Sequence, residues 1–378
     1  MESRWIVVII ALVVLSLPVI IATSDQKEKA RVIAHTDEEL AHALAKGCRV
    51  VREVRSLSAL MCDQDVALSL GLQEDIRMYA LDSGANKQIK ADLVHGSGNT
   101  GIGRRVVILD TGYNYNHREL NSSYGGGRDF VNDDLDPFDD NGHGSHVAGI
   151  ITADGIDPLA KGVAPGTEII VGKVLNAQGS GFFSDVVAAI YWAVDGYDGL
   201  PDTADDFHAD AISLSIGTAP PYTYKGFCDN VLYDLTNAIK YAVDKNVIVS
   251  VAAGNSGSAG VSIPGCISYS TTVGAVDARD KLASFSGKGS AVDLTAPGVS
   301  LYSSWLGTSY VKASGTSMAT PVVSGTIALI KAMHPTYTTS QVQTALFNTA
   351  KDLGKAGKDT SFGWGRVDAS AAVNYLIL

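Results

Sequence analysis

Positive charge is scarce in this chain. It has 29 Lys and Arg against 40 Asp and Glu, a formal net charge of −11. That deficit argues against nucleic acid or anionic membrane as a partner, since basic surfaces hold both. Cysteine is sparse too. Cys48, Cys62, Cys228 and Cys266 contain no CxxC pair, so nothing in their spacing suggests zinc. After residue 22 no apolar run is long enough to cross a bilayer. Tandem repeats and low-complexity tracts are missing altogether. What is present is a chain of 378 residues, 46% hydrophobic, with 39 glycines. It can bury a large core, is not expected to be disordered, and has room for two or three domains.

The N-terminus separates first. Arg4 precedes an apolar stretch from Trp5 to Ala22, followed by Thr23-Ser24-Asp25-Gln26. Residues 1–24 read as a secretory signal cut near Ala22 or Ser24, which implies a secreted protein. The stretch is also nearly long enough to remain as an uncleaved anchor with the rest of the chain facing outside. Residues 25–81 read as a small α+β unit. Its expected parts are a strand at Arg31–His35, a helix opened by the capping box Thr36-Asp37-Glu38-Glu39, a strand at Cys48–Leu57, a helix at Asp63–Leu72 and a strand at Ile76–Leu81.

From about Gln88 the pattern changes. Apolar strands at Arg105–Leu109, Glu168–Lys173, Ala211–Leu214, Val247–Ala252, Ser270–Val276 and Ala291–Ala296 alternate with helices starting near His143, Ser184, Asp229, Ser317 and Thr339. Continuous apolar strands interleaved with helices imply a parallel sheet covered on both faces. No appended domain is expected after the last helix.

Four element ends in this region carry chemistry. Asp110 closes a strand in Val107-Ile108-Leu109-Asp110-Thr111-Gly112, where open α/β sheets place their clefts. His143 opens a helix between two glycines in Asn141-Gly142-His143-Gly144-Ser145-His146, where the helix dipole would lower its pKa. Ser317 stands at a helix start in Gly315-Thr316-Ser317-Met318-Ala319-Thr320-Pro321, with Pro321 read as a first-turn proline. Asn255 follows the strand Val251-Ala252-Ala253-Gly254. Alone, each is a turn or cap residue. Together they are a nucleophile, a base, a carboxylate to orient the base and an amide to bind an oxyanion. The sequence Gly96-x-Gly98-x-x-Gly101 imitates a dinucleotide fingerprint, but it precedes its strand and reads as a loop.

These segments resemble the Asp, His and Ser signatures of the subtilisin-like serine peptidases, in that family's chain order. The resemblance runs from Gln88-Ile89-Lys90-Ala91 to Gly363-Trp364-Gly365-Arg366-Val367. It includes Gly162-Val163-Ala164-Pro165, Ala252-Ala253-Gly254-Asn255 and Thr295-Ala296-Pro297-Gly298. It implies a three-layer α/β/α domain with a mainly parallel central sheet over 82–378, working as a secreted monomeric endopeptidase on proteins and peptides. Asp110, His143 and Ser317 would be the triad and Asn255 an oxyanion donor. Gly179-Ser180-Gly181 and Ser215-Ile216-Gly217 would pair with the substrate backbone. The small Ser256 after Asn255, with no charged residue marking the primary pocket, implies an apolar or aromatic residue before the cut. Residues 25–81 would be an inhibitory propeptide whose tail Asp75–Leu81 enters the active site and is cut between Met78 and Ala85.

Further implications are a Cys228–Cys266 disulfide, a less direct Cys48–Cys62 bridge and a cis Ile263–Pro264 peptide. Ser145 stands where the family usually has Thr, and Val322 where a His is common. At the family's calcium loop, here Asp154–Ala160, Ile156 replaces an Asn ligand and Glu119 replaces an Asp, so the resemblance does not carry that site. Calcium is expected instead at an insertion holding Asp195, Asp198, Asp202, Asp205 and Asp206, whose carboxylates would repel one another without a cation. Asp133, Asp134, Asp136, Asp139 and Asp140 form a second such run. No organic cofactor is expected. Two other readings stand beside the endopeptidase. A catalytically dead binding module would lack one of the four site residues, and an esterase would show G-x-S-x-G with Ser first in chain order.

Overall fold

The computed structural model describes residues 28–54, 57–74 and 84–377. The expected signal (1–24), the tail Asp75–Leu81 and the cleavage interval up to residue 83 lie outside the described residues. The chain divides into two compact units, residues 1–80 and 81–378.

The first unit runs β1 (Lys29–Ala34), α1 (Asp37–Ala45), β2 (Arg49–Val54), β3 (Leu57–Asp63), α2 (Gln64–Leu70) and β4 (Gln73–Glu74). Its strands form one antiparallel sheet in the order β2-β3-β1-β4. The capping box forms as expected. Thr36 Oγ1 accepts the Glu39 N–H at 3.1 Å, and the Glu39 carboxylate accepts the Thr36 N–H at 3.2 Å, an arrangement typically worth about 1 kcal/mol. The strand expected at Cys48–Leu57 is β2, which stops at Val54, and an unanticipated β3 pairs back on it with Val54 opposite Leu57. Val32, Ala34, Ala43, Leu60 and the bonded pair Cys48–Cys62 are buried together.

The second unit opens with two short helices, α3 (Gly84–Gln88) and α4 (Ala91–Gly96). Next come β5 (Arg105–Asp110), β6 (Tyr124–Asp129), α5 (His143–Thr152), β7 (Glu168–Lys173), α6 (Phe183–Asp195) and β8 (Ala211–Leu214). A short β9 (Thr223–Tyr224) leads to α7 (Tyr233–Asp244), β10 (Ile248–Ala252), short β11 (Val261–Ser262), β12 (Thr271–Val276) and β13 (Leu294–Pro297). The hairpin β14 (Leu301–Ser304) and β15 (Tyr310–Ala313) precedes α8 (Thr316–Met333), α9 (Thr339–Thr349) and α10 (Ala369–Val373). Seven strands make one parallel sheet in the order β13-β12-β10-β8-β5-β7-β6.

Strand alternation splits the core. Val106 and Ile108 of β5 face a layer containing α5 and α8, while Val107 and Leu109 face α6 and α7 on the other side. All four are fully buried, each contributing about 1.5–3 kcal/mol of gross hydrophobic stabilisation. This is the expected three-layer α/β/α architecture. β6 was not anticipated, because Gly125-Gly126-Gly127 lacks the branched residues that mark a strand. Close approach requires the glycine: a β-carbon on Gly127 would lie 2.3 Å from the Val171 carbonyl. The sheet grows one way from β5 to β7 and β6, and the other way to β8 and beyond. β5 is therefore the switch point, where a cleft opens at the carboxyl ends of the strands.

Candidate active site

Asp110 is the last residue of β5 and is fully buried. Its Oδ1 accepts the Thr111 N–H at 2.7 Å and lies 2.7 Å from His143 Nδ1. His143 is the first residue of α5. Gly142 before it has φ 107°, and a β-carbon there would lie 2.4 Å from the Trp305 ring, so only glycine lets the chain enter α5 at this angle. Burial works to lower the His143 pKa, but the Asp110 carboxylate and, more weakly, Asp139 outweigh it, and the net direction is upward. The downward shift expected from the helix dipole is thus overturned by a carboxylate in direct contact. His146, one turn on, shows the contrast: burial lowers it to about 4.

Two side chains brace this pair. Asp139, fully buried, accepts from Thr111 Oγ1, the N–H groups of Asn141, Gly142 and Ser145, and Ser145 Oγ, all between 2.6 and 3.0 Å. Burial would raise its pKa, but these donors hold it below the usual carboxylate value. Lys173, 1% exposed, points all three ammonium protons at partners: the Thr111 carbonyl (2.6 Å), Asp140 Oδ1 (2.6 Å) and the Leu175 carbonyl (3.0 Å). The sequence marked Asp139 only as an acidic residue and Lys173 only as a strand end.

Ser317 is the second residue of α8. Its Oγ donates to the Ser215 carbonyl at 3.0 Å and, among the described hydrogen bonds, makes none to His143. Asn255 Oδ1 accepts the Thr316 N–H (3.0 Å) and Thr316 Oγ1 (3.1 Å). Those bonds fix which end of the amide is oxygen and leave Nδ2 as the outward donor. His143, Ser317, Asn255, Gly179, Ser180, Gly181, Ser215, Ile216 and Gly217 all line one cleft of about 660 Å³. Phe182, Phe183, Val186, Leu232 and Leu235 extend its wall. Among the described residues this lining contains no Asp, Glu, Lys or Arg. Phe182 and Phe183 are exposed. The aromatic pair beside Gly181 was the one signal in the sequence that could have extended the site.

Residues 101–365 match the model of the subtilase family. This chain belongs to the subtilase family. Over 285 residues it is 37% identical to subtilisin Savinase of Lederbergia lenta, covering 75% of this chain and 96% of that protein. Over 290 residues it is 37% identical to a subtilisin of Bacillus pumilus, again covering 75% and 96%. The 38% match to a thermophilic serine proteinase of Bacillus sp. (strain AK1) covers 72% of this chain and 62% of that longer protein. By family, the subtilase is a serine endopeptidase.

In this subtilase Cys228 and Cys266 are bonded, and Ile263–Pro264 is cis, as is Pro220–Pro221. Among the described residues no helix is long and apolar enough to cross a membrane.

Subtilases generally bind calcium, and the two acidic runs hold their carboxylates differently. Asp195 accepts from Tyr241 Oη at 2.7 Å, and Asp202 pairs with Lys245 at 2.9 Å, each drawn away from the rest. Asp205 Oδ2 accepts the N–H groups of Tyr197 and Asp198, and Asp206 Oδ2 those of Asp202 and Thr203. Thr203 Oγ1 sits among the oxygens that remain. Thr203 has one hydroxyl proton for these oxygens and the Leu200 carbonyl, so the chain's own donors do not satisfy them all. Among the described residues no group of three or more His, Cys, Asp or Glu is arranged to hold a metal ion. In the earlier run, Asp133 pairs with Arg128, Asp136 accepts from Tyr115 Oη, Asp140 meets Lys173 and Asp139 is buried as described.

At the family's calcium loop the inward-facing groups are N–H donors. Glu119 is fully buried; its carboxylate accepts the N–H groups of Gly155, Ile156 and Asp157 and Tyr310 Oη at 2.6–3.0 Å. The loop thus turns N–H groups inward, whereas a cation needs oxygens.

Proposed function

We propose that the chain is a secreted endopeptidase that cuts peptide bonds through an acyl-enzyme at Ser317. The observation that carries this reading is the Asp110–His143 contact at the switch point, opening onto the cleft that holds Ser317 and the Asn255 amide. Rotation of the Ser317 hydroxyl from the Ser215 carbonyl toward His143 Nε2 makes the hydroxyl the nucleophile. His143 takes its proton and returns it to the leaving amine, while Asp110 holds the tautomer and stabilises the imidazolium. Asn255 Nδ2 and the Ser317 N–H at the start of α8 would meet the oxyanion. The uncharged, apolar-walled cleft supports an apolar or aromatic residue before the scissile bond. Gly179–Gly181 and Ser215–Gly217 would flank an extended substrate.

Residues 25–81 are proposed as the propeptide removed by self-cleavage, and residues 1–24 as the export signal. No catalytic step is assigned to a metal. Ser317→Ala should lower kcat on a peptide amide by roughly 10⁶-fold, the scale known for the subtilisin nucleophile, and should block fluorophosphonate labelling. It should also keep residues 25–81 attached when purified alone. Retained cleavage or labelling would overturn the nucleophile assignment, and loss of 25–81 would overturn self-processing. A labelled enzyme that hydrolyses esters but leaves casein intact would favour the esterase.

A further inference from the structure

One hydrogen bond is missing from α8. In an α-helix the N–H of residue i meets the carbonyl of residue i−4. The Ser317 carbonyl would be met by residue 321, which is Pro321 and has no N–H. Pro321 is the sixth residue of α8, not part of its first turn as the sequence suggested. The partner comes from outside the helix: Ser215 Oγ donates to the Ser317 carbonyl at 2.9 Å. The exchange is reciprocal, because Ser317 Oγ donates to the Ser215 carbonyl at 3.0 Å. Ser215 itself is 3% exposed, so its hydroxyl has a fixed partner and not a changing set of solvent contacts.

We propose that Ser215 is a positioning residue whose hydroxyl substitutes for the N–H that Pro321 lacks. The inference rests on Ser317 being the nucleophile and deepens that reading. An ordinary helical N–H would tie the Ser317 carbonyl to α8 alone. Ser215 ties it to the end of β8, the edge proposed to hold substrate backbone. The first turn of α8 and the substrate edge are thereby held in one register. Without the hydroxyl, the Ser317 carbonyl loses this partner, and the first turn can relax away from the scissile bond. Small misplacements of a nucleophile cost rate more than binding.

The test uses the mature enzyme and a peptide amide substrate, with rates divided by the sites titrated with fluorophosphonate. Ser215→Ala should lower kcat about tenfold while KM stays within about twofold. Ser215→Thr keeps the hydroxyl and should stay near the parent. The deciding variant is Ser215→Ala combined with Pro321→Ala, which restores an N–H at position 321. Its kcat should come within about threefold of Pro321→Ala alone. The inference is overturned by an unchanged kcat in Ser215→Ala, by a change confined to KM, or by a double variant as slow as the product of the two singles. If Ser215→Ala alone does not accumulate folded, the comparison of Pro321→Ala with the double variant decides: matched kcat supports the tether, a tenfold gap refutes it. Ser317→Ala separates the two readings. If it still cleaves, the nucleophile assignment fails. If it is inert while Ser215→Ala keeps full kcat, only the tether fails.

Discussion

The two acidic runs each hold five aspartates and meet opposite fates. Residues 133–140 lead into His143, and their inner carboxylate, Asp139, is buried under five donors that fix the loop carrying the base. In residues 195–206, Asp205 and Asp206 cap turns of their own insertion, while Asp195 is buried against Tyr241 and Asp202 pairs with Lys245. The number of aspartates is the same in both. What differs is where the nearest N–H and O–H groups point, and that decides whether a carboxylate organises a catalytic loop or only closes a turn.

The sharpest way to break the contrast is Asp139→Ala. Five donors would lose their acceptor in a buried site, and unfolding free energy should fall by roughly 3–5 kcal/mol, read by chemical denaturation. A loss under 1 kcal/mol would erase the distinction between the runs. The depressed pKa adds a signed expectation. Asp139 contributes stability above the ordinary carboxylate value of 3.8 and loses it as pH falls below that value, so Asp139→Asn should flatten the acid limb of the stability curve.

Next comes Lys173→Met, which frees Asp140 and the Thr111 carbonyl. It should lower kcat/KM by about tenfold or more, since the strand end and the loop beside His143 both lose their common anchor. An unchanged kcat/KM per titrated site would reduce Lys173 to packing.

The third effect is in pH. His143 must be neutral to act as base, and its pKa is raised above 6.5. Activity should therefore climb with pH through a value above 6.5. Asp110→Asn should move that limb downward, whereas Asp206→Asn in the insertion should leave it in place. A parent limb below 6.5 would contradict the geometry. The smallest effects belong to the insertion itself. Asp206→Asn, or EDTA against added Ca²⁺, should shift Tm by no more than about 2 °C. A large calcium-dependent rise would instead support a cation among these carboxylates.

Much of the fold was legible. Apolar strands and amphipathic helices alternate at the right lengths, and the residues of the cleft sit at element ends where short-range signals are strongest. What stayed hidden was directional. The Gly125–Gly127 strand is invisible to propensity because contact with β7 selects its glycines. Pro321 looked harmless because its helical position depends on where α8 begins, and Ser215 fills the gap from 102 residues away. In the insertion, a sequence displays charge without showing which N–H groups are in reach.

Glu119 carries a consequence of its own. A bound ion stabilises a loop according to its free concentration, so dilution or a chelator can remove it. A carboxylate on the chain is always present at its site and cannot be titrated away by sequestration. The loop at 154–157 is therefore held by a group that the ionic makeup of its surroundings does not supply.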